Sequence, residues 1–199
     1  MRKREKMNRR ISVEKISRGY PNCPQKLRNY LAAAGKEYVS AVGDINLVEN
    51  ELTALLCSVK CPGNSIIRTF DLARKLRDDG AAVISGFHSP MEKECLTILL
   101  RGSQPVVWCL ARRLTSKKMR KEFSSAISEG RLLLLSPFDE KTKRSRKESA
   151  IIRNEFVVSL ADKVIIAYLF PGGKTESFSR KVLESGKPLQ ILDRSEFTP

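Results

Sequence analysis

The sequence predicts an α/β protein: a doubly wound, mostly parallel sheet of about six strands, with helices on both faces. Three observations point there. From Leu52 to Leu192, short apolar runs alternate with segments of helical spacing, the pattern of strands joined by crossover helices. Glycines stand where the helical segments stop, at Gly80, Gly102, Gly130 and Gly186. The 199 residues suit one such domain with a short extension, and an apolar content of 41% can fill its core.

The elements follow in order. Residues 1–10 read MRKREKMNRR, six cations and one anion with no periodic apolar face. Residues 1–17 are therefore expected as a basic, disordered tail able to add phosphate contacts. Residues 18–50 form a lead-in: a short helix marked by Leu27, Leu31 and Ala34, then an edge segment along Tyr38–Leu47. The main domain occupies 51–199. Its strands are expected at Leu52–Cys57, Ala81–Ser85, Pro105–Leu110, Arg131–Leu135, Lys163–Leu169 and Pro188–Leu192. Ile66, Ile67, Phe70, Ala73 and Leu76 mark the first helix between them. Pro90 suits a first helical turn, and Glu92 and Glu94 suit the positive end of the helix that follows.

Charge narrows the function. Thirty-seven Lys and Arg against 22 Asp and Glu give a net charge of +15, which favours nucleic acid as partner. No apolar run nears the roughly 20 residues that span a bilayer, and no apolar segment follows the basic N-terminus as in a secretory signal. Five cysteines, with Cys57, Cys95 and Cys109 in or beside apolar runs, suit reduced thiols in a cytoplasm. Cys57 and Cys61 are too few for zinc, so no metal and no cofactor are expected. A single histidine, His88, rules out a Ser-His-Asp triad elsewhere in the chain.

In an open sheet of this kind, ligands bind beyond the carboxyl ends of the strands. The expected phosphate contacts therefore lie in successive loops. The first loop supplies Ser58, Lys60, Gly63 and Asn64, and the second Ser85, Gly86 and His88. Arg112 and Arg113 follow, then Lys143 and Arg144, then Arg153 and Asn154 on a helix. Gly172, Gly173, Lys174 and Thr175 close the set. Cations recurring along one edge repel one another unless a counter-anion relieves them. Phe87, Phe138 and Phe170 are the aromatics near enough to stack on bases, with core packing their more ordinary use. Glu92 and Glu176, at helix starts, are the carboxylates placed for acid–base work, yet dipole stabilisation alone explains acids there. No catalytic residue is assigned. The Gly172-Gly-Lys-Thr175 run lacks the first glycine of a Walker loop, since Tyr168 stands at its position.

These residues resemble the DNA-processing protein A family (DprA, or Smf). Ala82-Val-Ile-Ser-Gly-Phe87, Pro105-Val-Val-Trp-Cys-Leu110 and Glu129-Gly-Arg-Leu-Leu-Leu-Leu-Ser-Pro137 are similar to its successive strands. Arg153-Asn-Glu-Phe-Val-Val-Ser-Leu-Ala-Asp162 resembles its Arg-Asn-Arg segment, and Gly172-Gly-Lys-Thr175 its closing glycine loop. The likeness runs in order over about residues 18–192. It departs where the family has Gly-Ser-Arg and this chain has Cys57-Ser58-Val59. The resemblance implies a cytoplasmic, Rossmann-like protein that binds single-stranded DNA through Ser58, Lys60, Arg153 and Lys174. A homodimer and a RecA-type recombinase as partner follow by analogy alone. Pro171-Gly-Gly-Lys-Thr-Glu176 also echoes the phosphoribohydrolases of the same superfamily, so a nucleotide sensor or a nucleotide-cleaving enzyme is the alternative.

Overall fold

The computed structural model describes residues 12–58, 61–116, 119–169 and 174–192. Eight strands and six helices alternate through them. The lead-in contributes β1 (Glu14–Ser17), α1 (Gln25–Ala33), β2 (Tyr38–Val42) and a 3-10 turn (Ile45–Glu49). The main domain follows with β3 (Thr53–Leu56), α2 (Gly63–Asp78), β4 (Val83–Ser85), α3 (Pro90–Leu99) and β5 (Val106–Cys109). It continues through α4 (Lys121–Ser128), β6 (Leu132–Ser136), α5 (Lys147–Leu160), β7 (Lys163–Ile166), α6 (Lys174–Glu184) and β8 (Leu189–Ile191).

One sheet holds all eight strands in the order β1-β2-β6-β5-β4-β3-β7-β8. The six strands from β3 onward are parallel, while β1 and β2 extend the sheet antiparallel beyond β6. The strand count of about six thus held for the parallel part. The correction lies in the lead-in: Glu14–Ser17, expected within a disordered tail, pairs along β2 and buries Ile16 completely. Residues 1–11 of that tail lie outside the described residues.

Burial on both faces explains why the strands read as apolar runs rather than alternating ones. Ala54 and Leu56 enter one core with Leu133, Leu135 and Phe156, against α1 and α5. Leu55 enters the other with Leu132, Leu134, Leu96 and Leu99, against α2 and α3. Consecutive leucines of β6 therefore serve opposite faces, as the two-residue period of a strand requires. The lead-in residues Leu27, Leu31 and Val39 belong to the first of these cores.

The amino edge of the sheet is closed by its own polar groups. Asp162 accepts hydrogen bonds from the Leu52 amide at 2.7 Å and from Lys26 Nζ at 2.6 Å, joining α1 to the start of β3. Lys187 Nζ donates to the Val158, Ser159 and Ala161 carbonyls as α5 ends, a cation at the negative end of a helix.

Candidate nucleic-acid interface

The carboxyl edge is where the strand order reverses. The chain leaves β3 through α2 to reach β4 on one side, and β7 pairs with β3 on the other. Loops diverge at such a switch point and leave a crevice. Ala167 and Ser58 tie its two walls together, their amides donating to the Leu56 and Tyr168 carbonyls. α2 then starts at Gly63 with no acidic residue in its first turn, so its positive end carries no carboxylate of its own. Asn64 is exposed, and its Oδ1 accepts from the Ser65 amide.

The next turn is built differently. Ser85 Oγ donates to the Leu55 carbonyl at 2.6 Å, which makes this serine a cross-strand clamp. Phe87 adopts φ of 42° and is fully covered. Glu92, buried on α3, accepts from the Cys57, His88 and Ser89 amides at 3.2, 2.8 and 3.2 Å. Ser89 Oγ in return accepts from the Glu92 amide, completing a capping box. Glu92, a candidate acid by its place at a helix start, is thus a structural tie between two loops. Its signal was present in the sequence as Ser89-x-x-Glu92. His88 projects into solvent with its amide held by Glu92.

Beneath this turn lies Arg153. It is 4% exposed, and its guanidinium covers Gly86 so closely that a Cβ added there would fall inside it. Nε donates to Asn154 Oδ1 at 2.8 Å, and among the described residues no ion pair closes on the charge. Burial lowers the pKa of the guanidinium, with Glu92 acting in the opposite sense. The side chain keeps a full charge regardless, since arginine does not deprotonate in proteins.

Farther along the same edge, past β6, a cavity of about 990 Å³ opens between the start of β2 and the β6–α5 connection. Lys36, Lys141, Lys143, Arg144 and Arg146 line it, with Glu37, Asp139 and Glu148 as its anions. None of the five cations forms an ion pair among the described residues. Tyr38 and Phe138 supply its apolar wall. Three strand spacings separate this groove from β3, roughly 14 Å. Lys36 could not be foreseen there, because antiparallel pairing of β2 carries it across from the far end of the sequence.

The expected residues therefore divide. Lys143 and Arg144 face the groove, and Arg112 is exposed beside it. Arg113 is engaged instead, paired with Glu140. Phe87 and Phe138 are buried, as core packing requires. Lys60, Phe170, Gly172 and Gly173 lie outside the described residues, as do the side chains of Lys174 and Thr175. Glu176 sits in the first turn of α6, 3.6 Å from Arg180.

The family model described as DNA recombination-mediator protein A matches residues 15–170. The chain belongs to this family. No curated protein sequence matches it, but the fold recurs in solved members. One structure, described as giving the single-stranded DNA binding mode of DNA processing protein A from Helicobacter pylori, aligns with a TM-score of 0.68 at 19% identity. That alignment covers 91% of this chain and 80% of the other. DNA processing protein A (DprA) from Streptococcus pneumoniae aligns with a TM-score of 0.72 at 16% identity. It covers 96% of this chain, which spans only 65% of the Streptococcus protein. Among the described residues no helix is long and apolar enough to cross a membrane.

Proposed function

We propose that this family member binds single-stranded DNA along the carboxyl edge of its sheet, reading phosphates and not base sequence. The observation that carries the proposal is the groove past β6, where five cations outnumber three carboxylates and none of the five forms an ion pair among the described residues. Such a cluster is unfavourable alone and is relieved by a polyanion. The acid-free start of α2 and the buried Arg153 continue the same electrostatic sign toward the switch point. The binding named for the Helicobacter protein supports a single strand as the ligand. The groove holds Lys and Arg with little exposed aromatic surface, so affinity rests on counterion release. Following the family pattern, the chain acts in DNA recombination in the cytoplasm, as a homodimer that delivers its strand to a RecA-type recombinase, without enzymatic turnover.

The test is fluorescence anisotropy of labelled oligothymidine across a salt series, with duplex DNA and free nucleotides as competitors. The triple variant Lys141→Ala, Lys143→Ala, Arg144→Ala should bind more weakly at low salt. Its plot of log affinity against log salt should be shallower by about 2, since each single-strand phosphate contact contributes about 0.7 to the slope. Equal slopes for variant and parent would remove the groove from the interface. Displacement of the oligomer by a mononucleotide would favour the sensor or phosphoribohydrolase reading.

A further inference from the structure

α5 links the groove past β6 to the switch point. Ser149 and Ile152 line the groove from this helix. Arg153 follows on the same buried face, one turn after Ser149 and about 6 Å along the axis. From there α5 packs against β4 and β5. Helix side chains lean back toward the helix start, which carries the Arg153 guanidinium to Gly86, just past the carboxyl end of β4. One turn farther along this face, Phe156 and Val157 are fully buried in the core with Leu133 and Leu135. The path from the groove therefore closes at Arg153.

What Arg153 offers there is a set of unused donors. Nε is engaged by Asn154 Oδ1. The remaining N–H groups, all on Nη1 and Nη2, meet no hydrogen-bond acceptor and no ion-pair partner among the described residues. Both oxygens of Glu92 are already taken by the Cys57, His88 and Ser89 amides. A buried guanidinium is unfavourable until an anion completes its hydrogen bonds, and its planar fork matches two oxygens of one phosphate. Because Arg153 is only 4% exposed, a phosphate has to protrude to reach it. An internal phosphodiester carries a sugar on each side, so the strand would have to continue where the path is closed. A terminal phosphate monoester ends the strand, presents three unesterified oxygens and carries nearly two charges near neutral pH.

We propose that Arg153, seated over Gly86 at the inner end of the groove, is a receptor for the terminal phosphate monoester of a bound single strand. The inference rests on the DNA reading above and sharpens it: the groove cations hold internal phosphates, and Nη1 and Nη2 of Arg153 hold the end. It also gives the strand a fixed polarity, since only one of its two ends is seated.

The test uses the full chain and oligothymidine labelled on an internal base, in three forms: hydroxyl at both ends, 5′-phosphate, and 3′-phosphate. In anisotropy titrations one of the two phosphates should tighten binding about tenfold, as a charge-assisted hydrogen-bond pair does, and the other should change it little. Arg153→Lys keeps the charge and loses the fork, so the advantage of the phosphate should shrink to about twofold. Lys143→Ala should weaken all three oligomers and leave their ratio as it was. Trp108, whose indole donates to the Gly86 carbonyl, reports by its fluorescence whether the turn is intact in each variant. Equal affinity for the three forms would overturn the proposal and leave the DNA reading standing, whereas binding of none would remove both. An equal gain from either phosphate, or a full gain in Arg153→Lys, would mean that added charge alone is read, and would overturn it too. So would thymidine monophosphate displacing the phosphorylated oligomer at comparable concentration, which would make a free nucleotide the ligand.

Discussion

The β3–α2 and β4–α3 turns stand side by side on the carboxyl edge, yet they treat their helix starts in opposite ways. At the start of α3, Ser89 and Glu92 close the capping box and Glu92 takes two further amides, one of them from the neighbouring turn. The positive end of that helix is neutralised from within. At the start of α2 there is no acid, no side-chain hydrogen bond from the N-cap Pro62, and a glycine as the first helical residue. One turn is a structural anchor; the other starts its helix without a carboxylate. The anchor also serves the open turn, because Glu92 Oε1 holds the Cys57 amide at its entrance.

The largest expected effect comes from removing the anchor. Glu92→Ala leaves the Cys57, His88 and Ser89 amides without their shared carboxylate. Hydrogen bonds to a charged group are worth about 1.5–3 kcal/mol each and add incompletely, so a loss of about 3 kcal/mol is expected in urea unfolding. Glu92→Gln, which keeps one acceptor oxygen, should lose less. A loss below about 1 kcal/mol for the alanine variant would show that the two turns hold themselves without Glu92.

Gly86→Ala should act more locally. The new methyl group would occupy the guanidinium position of Arg153, forcing that side chain off Asn154 and out of its slot. Overpacking of this kind costs about 1–2 kcal/mol. The same displacement should weaken DNA binding in the anisotropy assay. Reduced stability with unchanged affinity would take Arg153 out of the interface and leave it a packing residue.

Much of this was legible in the chain, for reasons that individual residues make plain. The parallel strands declared themselves because both faces are buried, so Leu132–Leu135 had to be apolar throughout. β1 did not, since Glu-Lys-Ile-Ser has one apolar side chain and becomes a strand only by pairing with β2. The chain also marked candidate cations at its strand ends. It was not legible which of them stay available, because that depends on distant partners. Arg113 meets Glu140, while Arg144 in the β6–α5 connection forms no ion pair among the described residues.

The smallest effect makes the open turn resemble the closed one. Asn64→Asp puts a carboxylate in the first turn of α2, where Asn64 Oδ1 already accepts from the Ser65 amide, so the local geometry is preserved. A negative charge at a helix start stabilises by about 0.3–1 kcal/mol, so thermal unfolding should shift upward by roughly 1–4 °C for a chain of this size. The same charge would compete with a phosphate for the dipole and repel it. DNA affinity should therefore fall a fewfold at low salt, with the difference shrinking as salt rises. A variant both more stable and weaker in DNA binding is the signature of a helix start reserved for an external anion. If stability rises while affinity holds at every salt concentration, the phosphate path bypasses α2 and runs through the groove past β6 alone.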